Sequence, residues 1–140
     1  MSGEPALTGG CLCGKIRFLL TERPSTAGYC HCTRCRRRTG TASSAQARID
    51  GSTLRILQGE DLLKGWRHPD GGAEKLFCRE CGGHLFSRYP QDHRQMSVRL
   101  GAFDDDPGVR PSWRAFVDYA VDWEPIPEDG LERFAEAKPR

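Results

Sequence analysis

Two stretches far apart in the chain decide its fold: Gly9-Gly10-Cys11-Leu12-Cys13-Gly14 and Phe77-Cys78-Arg79-Glu80-Cys81-Gly82-Gly83. In an extended segment residues i and i+2 point to the same side, so Cys11 and Cys13 present two sulfurs to one metal. Cys78-x-x-Cys81 forms a tight knuckle, with its sulfurs convergent and backbone N–H groups aimed at them. A glycine follows the last cysteine of each stretch, Gly14 and Gly82, which suits the positive φ such a turn often needs. A third cluster, Tyr29-Cys30-His31-Cys32-Thr33-Arg34-Cys35, is followed instead by Arg36.

This difference groups Cys11, Cys13, Cys78 and Cys81 as one closed tetrahedral site, the pattern of structural zinc. Such a site ties residue 11 to residue 81 and staples a sheet. Cys30, Cys32 and Cys35 then supply three sulfurs within six residues. Three protein ligands and an open position are the pattern of a catalytic zinc. Spacing leaves a second grouping open, with Cys32-x-x-Cys35 joining Cys78-x-x-Cys81 as a ribbon. Its spacer of 42 residues exceeds the roughly 15–20 of the simple pattern.

The remainder of the sequence frames these clusters. At 140 residues the chain is expected to be a single domain, 1–140. Its composition, 37% hydrophobic and 29% charged, excludes a membrane protein and does not suggest a disordered one. The longest apolar run among the first 30 residues is Phe18-Leu19-Leu20, too short for a signal peptide or a membrane span. A cytoplasmic location is therefore expected, where clustered thiols stay reduced and bind metals. The count of seven cysteines agrees, because an odd number cannot all pair within one chain.

The formal net charge is +2. Seven thiolates with two bound zinc ions would bring it to about −1, since zinc binds the deprotonated form. A globally basic surface for nucleic acid is not supported. What remains is a local basic run, Arg34, Arg36, Arg37 and Arg38.

Alternation predicts strands at 14–21, 43–49, 53–58, 62–67, 74–78, 84–89, 95–100 and 114–119, with Asp50-Gly51 as a hairpin-type turn. Helix is expected only as a short turn near 33–39 and in the tail at 127–136. Many short strands between turn signals indicate a mostly antiparallel β domain with little helix.

The order Gly-Gly-Cys-x-Cys-Gly-x-Ile-x-Phe (9–18), Cys-His-Cys-x-x-Cys-Arg-Arg-x-Thr-Gly (30–40) and Phe-Cys-x-x-Cys-Gly-Gly-x-Leu-Phe (77–86) resembles the glutathione-dependent formaldehyde-activating enzyme family. That family also includes centromere protein V. The later stretch from Pro111 to Trp123 is similar to its closing strand, with Arg114 where a histidine is often seen. The resemblance implies packed antiparallel sheets, tent-like, as in Rab-associated zinc exchange factors. It implies two zinc ions per chain: a structural one at Cys11, Cys13, Cys78 and Cys81, and a catalytic one at Cys30, Cys32 and Cys35. It implies a carbon–sulfur lyase activity, the reversible addition of glutathione to formaldehyde.

Other residues are read more locally. His31, between two proposed ligands, points away from the metal in an extended segment and is a hydrogen-bonded structural group or a proton carrier. His68 and His93 are expected on the surface. The basic run is expected to balance thiolate charge, with Arg36 and Arg37 as candidates to hold the carboxylates of the thiol substrate. Trp66, Trp113 and Trp123 are expected in the core, and Asp104-Asp105-Asp106 in a solvated turn. The first expectation is thus an enzyme joining a small thiol, such as glutathione, to an aldehyde. The alternative is a zinc-stabilised module that binds a protein or nucleic acid without catalysis.

Overall fold

The computed structural model describes residues 7–139. Eleven strands and one α-helix among these residues form two sheets. The smaller sheet is antiparallel, in the order β1 (Leu7–Gly10), β2 (Arg17–Leu20), β5 (Leu54–Gln58). The larger contains β3 (Thr26–Cys30), β4 (Ser44–Asp50), β6 (Leu63–Trp66), β7 (Glu74–Cys78), β8 (His84–Tyr89), β9 (Asp92–Arg99), β10 (Pro111–Ala115) and β11 (Glu132–Arg133). Its order is β11-β10-β3-β4-β9-β8-β7-β6. The chain is therefore mostly β and built of packed sheets, as expected. One departure from the antiparallel expectation is β10, which runs parallel to both β3 and β11.

Alternation determines which face of the large sheet is dry. Ile49, Leu76, Phe86, Met96 and Val98 point toward the small sheet and meet Ile16, Phe18 and Leu20, all buried. Phe18 packs edge-on against Phe86 with ring centroids 5.1 Å apart, a favoured aromatic geometry. The intervening residues face the other way. Cross-strand pairing aligns Trp66 with Lys75, Lys75 with Ser87, Ser87 with Ser97, Ser97 with Arg48 and Arg48 with Thr26. One polar row thus crosses five neighbouring ladders on the face opposite the core.

Four sequence expectations need correction. The tail at 127–136 is not a helix: Gly130 has φ 77°, and β11 pairs with β10. Backbone bonds from Phe134 N–H to the Arg114 carbonyl and from Phe116 N–H to the Glu136 carbonyl replace helical ones. Of 114–119, only the first two residues lie in a strand. Phe116 then enters the left-handed region at φ 56° and turns the chain into a 3₁₀ turn over Val117–Tyr119. Trp113 is buried, but Trp66 and Trp123 are 53% and 66% exposed. Strands β1 and β3 went unpredicted, because the glycines at 9, 10 and 28 erase the usual strand signal. At Gly28 the missing side chain is required: a Cβ there would lie 2.1 Å from the Trp113 ring.

Gly28→Ala should therefore force the Trp113 ring or β3 to shift and destabilise the domain by about 1–3 kcal/mol, the usual range for overpacking. Gly101→Ala, whose added Cβ meets nothing within 4 Å, should melt like the unsubstituted protein. Thermal unfolding of the two variants checks the difference.

Candidate metal centres and the adjoining cavity

The fold assembles the cysteines into two groups, Cys11/Cys13/Cys78/Cys81 and Cys30/Cys32/Cys35, the sulfurs within each lying within 4.8 Å of one another. The ribbon grouping is not what the chain builds. Cys11 and Cys13 lie on the turn between β1 and β2, at one end of the small sheet. Cys78 ends β7, and Cys81 lies in the following turn. The sulfurs of Cys11 and Cys13 are 3.6 Å apart and those of Cys13 and Cys78 3.9 Å. Tetrahedral zinc with Zn–S near 2.3 Å requires about 3.8 Å, so this donor set fits the ion.

The turns also aim donors at the sulfurs. Ile16 N–H lies 3.3 Å from Cys11 Sγ, and the backbone N–H groups of Cys13 and Gly83 pull the Cys81 thiol down to about 6. Gly14 and Gly82 take the positive φ read from the sequence, 79° and 76°.

The trio is built differently. Cys30 ends β3, where Ser44 of β4 and Ala115 of β10 flank it. Cys32 caps α1 (Thr33–Thr39), its sulfur accepting from the Cys35 N–H at 3.3 Å. Cys35 lies in the helix and is buried, as is Cys30. Hydrogen bonds with Cys30 and Cys32 push the Cys35 thiol strongly down, whereas hydrogen bonds with Cys32 and then Cys35 hold the Cys30 thiol up. Arg38 approaches Cys35 Sγ at 3.8 Å and donates to His84 Nδ1 at 2.9 Å. Burial, then Arg38, lowers the His84 pKa, which keeps the ring neutral and able to accept. Arg38 is thus the member of the basic run that meets a sulfur of the trio.

His31 is buried and pairs through Nε2 with Arg114 at 3.2 Å. Arg114 is held in turn by Asp129 and lies over the Tyr29 ring. Burial and the Arg114 charge lower the His31 pKa, so it is a neutral structural group. His93 is exposed as expected, whereas His68 is partly covered and packs edge-on against Trp66. Asp104 is not simply solvated: it accepts from Arg17 and from Thr8.

All three trio residues open onto a cavity of about 670 Å³, within the usual size range for a small-molecule site. None of the four cysteines of the other cluster lines it. Trp66, Trp113 and Phe116 form apolar wall, and Arg48 and Lys75 of the polar row also line the cavity. Arg34, Arg37 and Arg38 face it from α1, as residues three and four apart on one helical face should. Arg36 is not in the wall. Its guanidinium turns back to Thr33 Oγ1 at 3.5 Å. Gln46, Arg48 and Lys75, which no sequence motif marked, also line the cavity. Their signal was the polar phase of the strand alternation, without any indication that this face is covered.

A β domain that gathers four cysteines at one place and three at a cavity, each group able to hold a metal ion, defines a particular class of protein. A model of the glutathione-dependent formaldehyde-activating enzyme family matches residues 6–119, and the chain belongs to that family. A crystal structure of a Rhodobacter sphaeroides protein is similar, at 29% identity and TM-score 0.54, covering 74% of this chain and 91% of the other. No curated protein matches the chain. Among the described residues no helix is long and apolar enough to cross a membrane.

With zinc in the four-cysteine group, Cys78→Ala should cost the domain one ion and its folded state. Apparent zinc binding energies of about 10–16 kcal/mol in small domains match or exceed a typical total stability of about 5–15 kcal/mol. Cys32→Ala should lose one ion and keep the fold, because the clip between residues 11 and 81 remains. Bound zinc per chain and thermal unfolding of both variants test this. A Cys78→Ala protein that melts like the native one would contradict it.

Proposed function

We propose that the chain catalyses the reversible addition of a small thiol, glutathione or a close relative, to formaldehyde or a related aldehyde. This is a carbon–sulfur lyase reaction, with Cys30, Cys32 and Cys35 as the catalytic metal site and the other four cysteines as a structural one. The observation that carries the reading is that the three-sulfur group, and not the four-sulfur group, opens onto the cavity. Zinc at three thiolates would supply an open position at which a thiol loses its proton near neutral pH.

The reaction forms one bond, from the thiol sulfur to the carbonyl carbon, and the thiol proton ends on the carbonyl oxygen. The residues of this chain have separable tasks. Arg38 holds positive charge against Cys35, keeping its sulfur available as a thiolate ligand. Trp113 and Phe116 form apolar wall beside the reacting groups and exclude water. Arg37 and Arg34, exposed at the cavity wall, attract the carboxylates of the incoming thiol. Arg36, the other candidate from the sequence, is assigned to helix packing because it lies outside the cavity wall.

The uncatalysed addition is itself quick, so the decisive readout is exchange between free and hydroxymethylated glutathione, measured by NMR. Zinc-loaded protein should accelerate exchange, and Cys35→Ala should abolish the acceleration. Arg37→Ala should weaken glutathione binding by about 1.5–3 kcal/mol if it makes a charge-assisted hydrogen bond. A fully metallated protein that neither binds glutathione nor speeds exchange would overturn the reading.

A further inference from the structure

Beside the cavity the large sheet buries a cation that meets no carboxylate among the described residues. Arg99 of β9 is almost completely buried under the polar row. Its guanidinium reaches only neutral acceptors: Gln46 Oε1 at 3.0 Å, Ser97 Oγ at 3.2 Å and Ser87 Oγ at 2.5 Å. Its Nε has no partner. Lys75 of β7, partly buried next to it, donates to the same Ser87 Oγ at 3.3 Å. Among the described residues no aspartate or glutamate lines the cavity, whereas Arg34, Arg37, Arg38 and Lys75 do. Buried cations without a carboxylate are costly unless another anion compensates them. Three thiolates with one divalent zinc would carry a single negative charge, too little for Arg38, Lys75 and Arg99 together.

The same row is arranged to donate. Ser87 Oγ accepts from both Arg99 and the Lys75 ammonium, which leaves its own O–H as a donor. Gln46 spends its carbonyl on Arg99, which leaves its amide N–H groups. These residues, with Ser97, line a polar recess of about 80 Å³ that shares Gln46, Arg48 and Lys75 with the main cavity. The recess has room for a group of a few atoms, and its wall offers donors and positive charge.

We propose that this recess, formed by Gln46, Lys75, Ser87 and Ser97 over buried Arg99, binds a carboxylate group of the ligand that occupies the cavity. The site therefore selects acidic thiols over neutral ones of equal length. The proposal rests on the thiol–aldehyde reading only for the identity of the ligand, since the anion site stands on its own residues. Anchoring the carboxylate at the sheet would direct the opposite end of the ligand toward Cys30, Cys32 and Cys35, which line the same cavity.

The test uses succinate, which carries carboxylates but neither thiol nor aldehyde, titrated into zinc-loaded protein at constant ionic strength and followed by NMR of backbone amides. Saturable shifts at Lys75, Ser87 and Ser97 are expected. Lys75→Met should weaken them at least about tenfold, the loss of a charge-assisted hydrogen bond. Ser87→Ala should weaken them too, and reads the same contact should Lys75→Met not fold. In parallel, 3-mercaptopropionate should bind at least about tenfold more tightly than 3-mercaptopropanol, with the gap closing in Lys75→Met. Absence of saturable succinate binding, equal affinity in both variants, or binding of inorganic phosphate in its place would overturn the carboxylate site. Because succinate takes no part in thiol–aldehyde chemistry, that failure would leave the exchange measurement to judge the lyase reading separately.

Discussion

The two-residue pleat of the eight-stranded sheet is the constraint on which everything else depends. One phase of β4, β7, β8 and β9 supplies Ile49, Leu76, Phe86 and Val98 to the core shared with the small sheet. The other phase supplies Arg48 and Lys75 to the cavity floor and Ser87 and Ser97 to the recess beside it. A slip of one residue in any ladder would exchange these sets and place cations in the core. A metal ion held by the four-cysteine cluster would guard against such a slip. The ion would join the β1–β2 turn to the end of β7 and so clip the small sheet to the strand that carries Lys75.

The trio uses the fold in another way. Its sulfurs come from a strand end, a helix cap and the helix itself, so three kinds of backbone geometry converge on one point. Cys30 is fixed by strand pairing on both sides, and Cys32 and Cys35 by the first turn of α1. The donors and cations around these sulfurs come from yet other elements: Arg38 from α1, held by His84 at the start of β8, and Lys75 and Arg99 from the sheet. A cavity built this way has rigid walls on the sheet side. On the other side it is bordered by the 116–139 segment, where Arg48 clamps the carbonyls of Lys138 and Pro139.

The sequence made both cysteine groups and most strands legible, because ligand chemistry and period-two alternation are local signals. Gly14 and Gly82 also marked which cysteines belong together, through the backbone geometry that follows a knuckle. What could not be read depends on tertiary placement. Gly28 hides β3 because its role is to admit the Trp113 ring. Leu131 and Phe134 mimic a helical face, yet their backbone is spent on pairing with the β10 region. Trp66 looks like core and instead stands at the cavity. Arg36 and Arg37 are neighbours in sequence, and only the position of the helix axis decides which of them faces the cavity. Lys75 and Arg99 are widely separated in sequence, and their closeness is a product of β7–β8–β9 register.

The central claim is that the cysteine trio leaves one coordination position for a thiol while the four-cysteine group leaves none. Zinc X-ray absorption of the fully loaded protein, before and after addition of glutathione, tests this most directly. The account predicts an average of about 3.5 sulfur neighbours per zinc without thiol, rising to about 4 when glutathione binds. An average of about 4 from the outset, or no rise on saturation with glutathione, would contradict it.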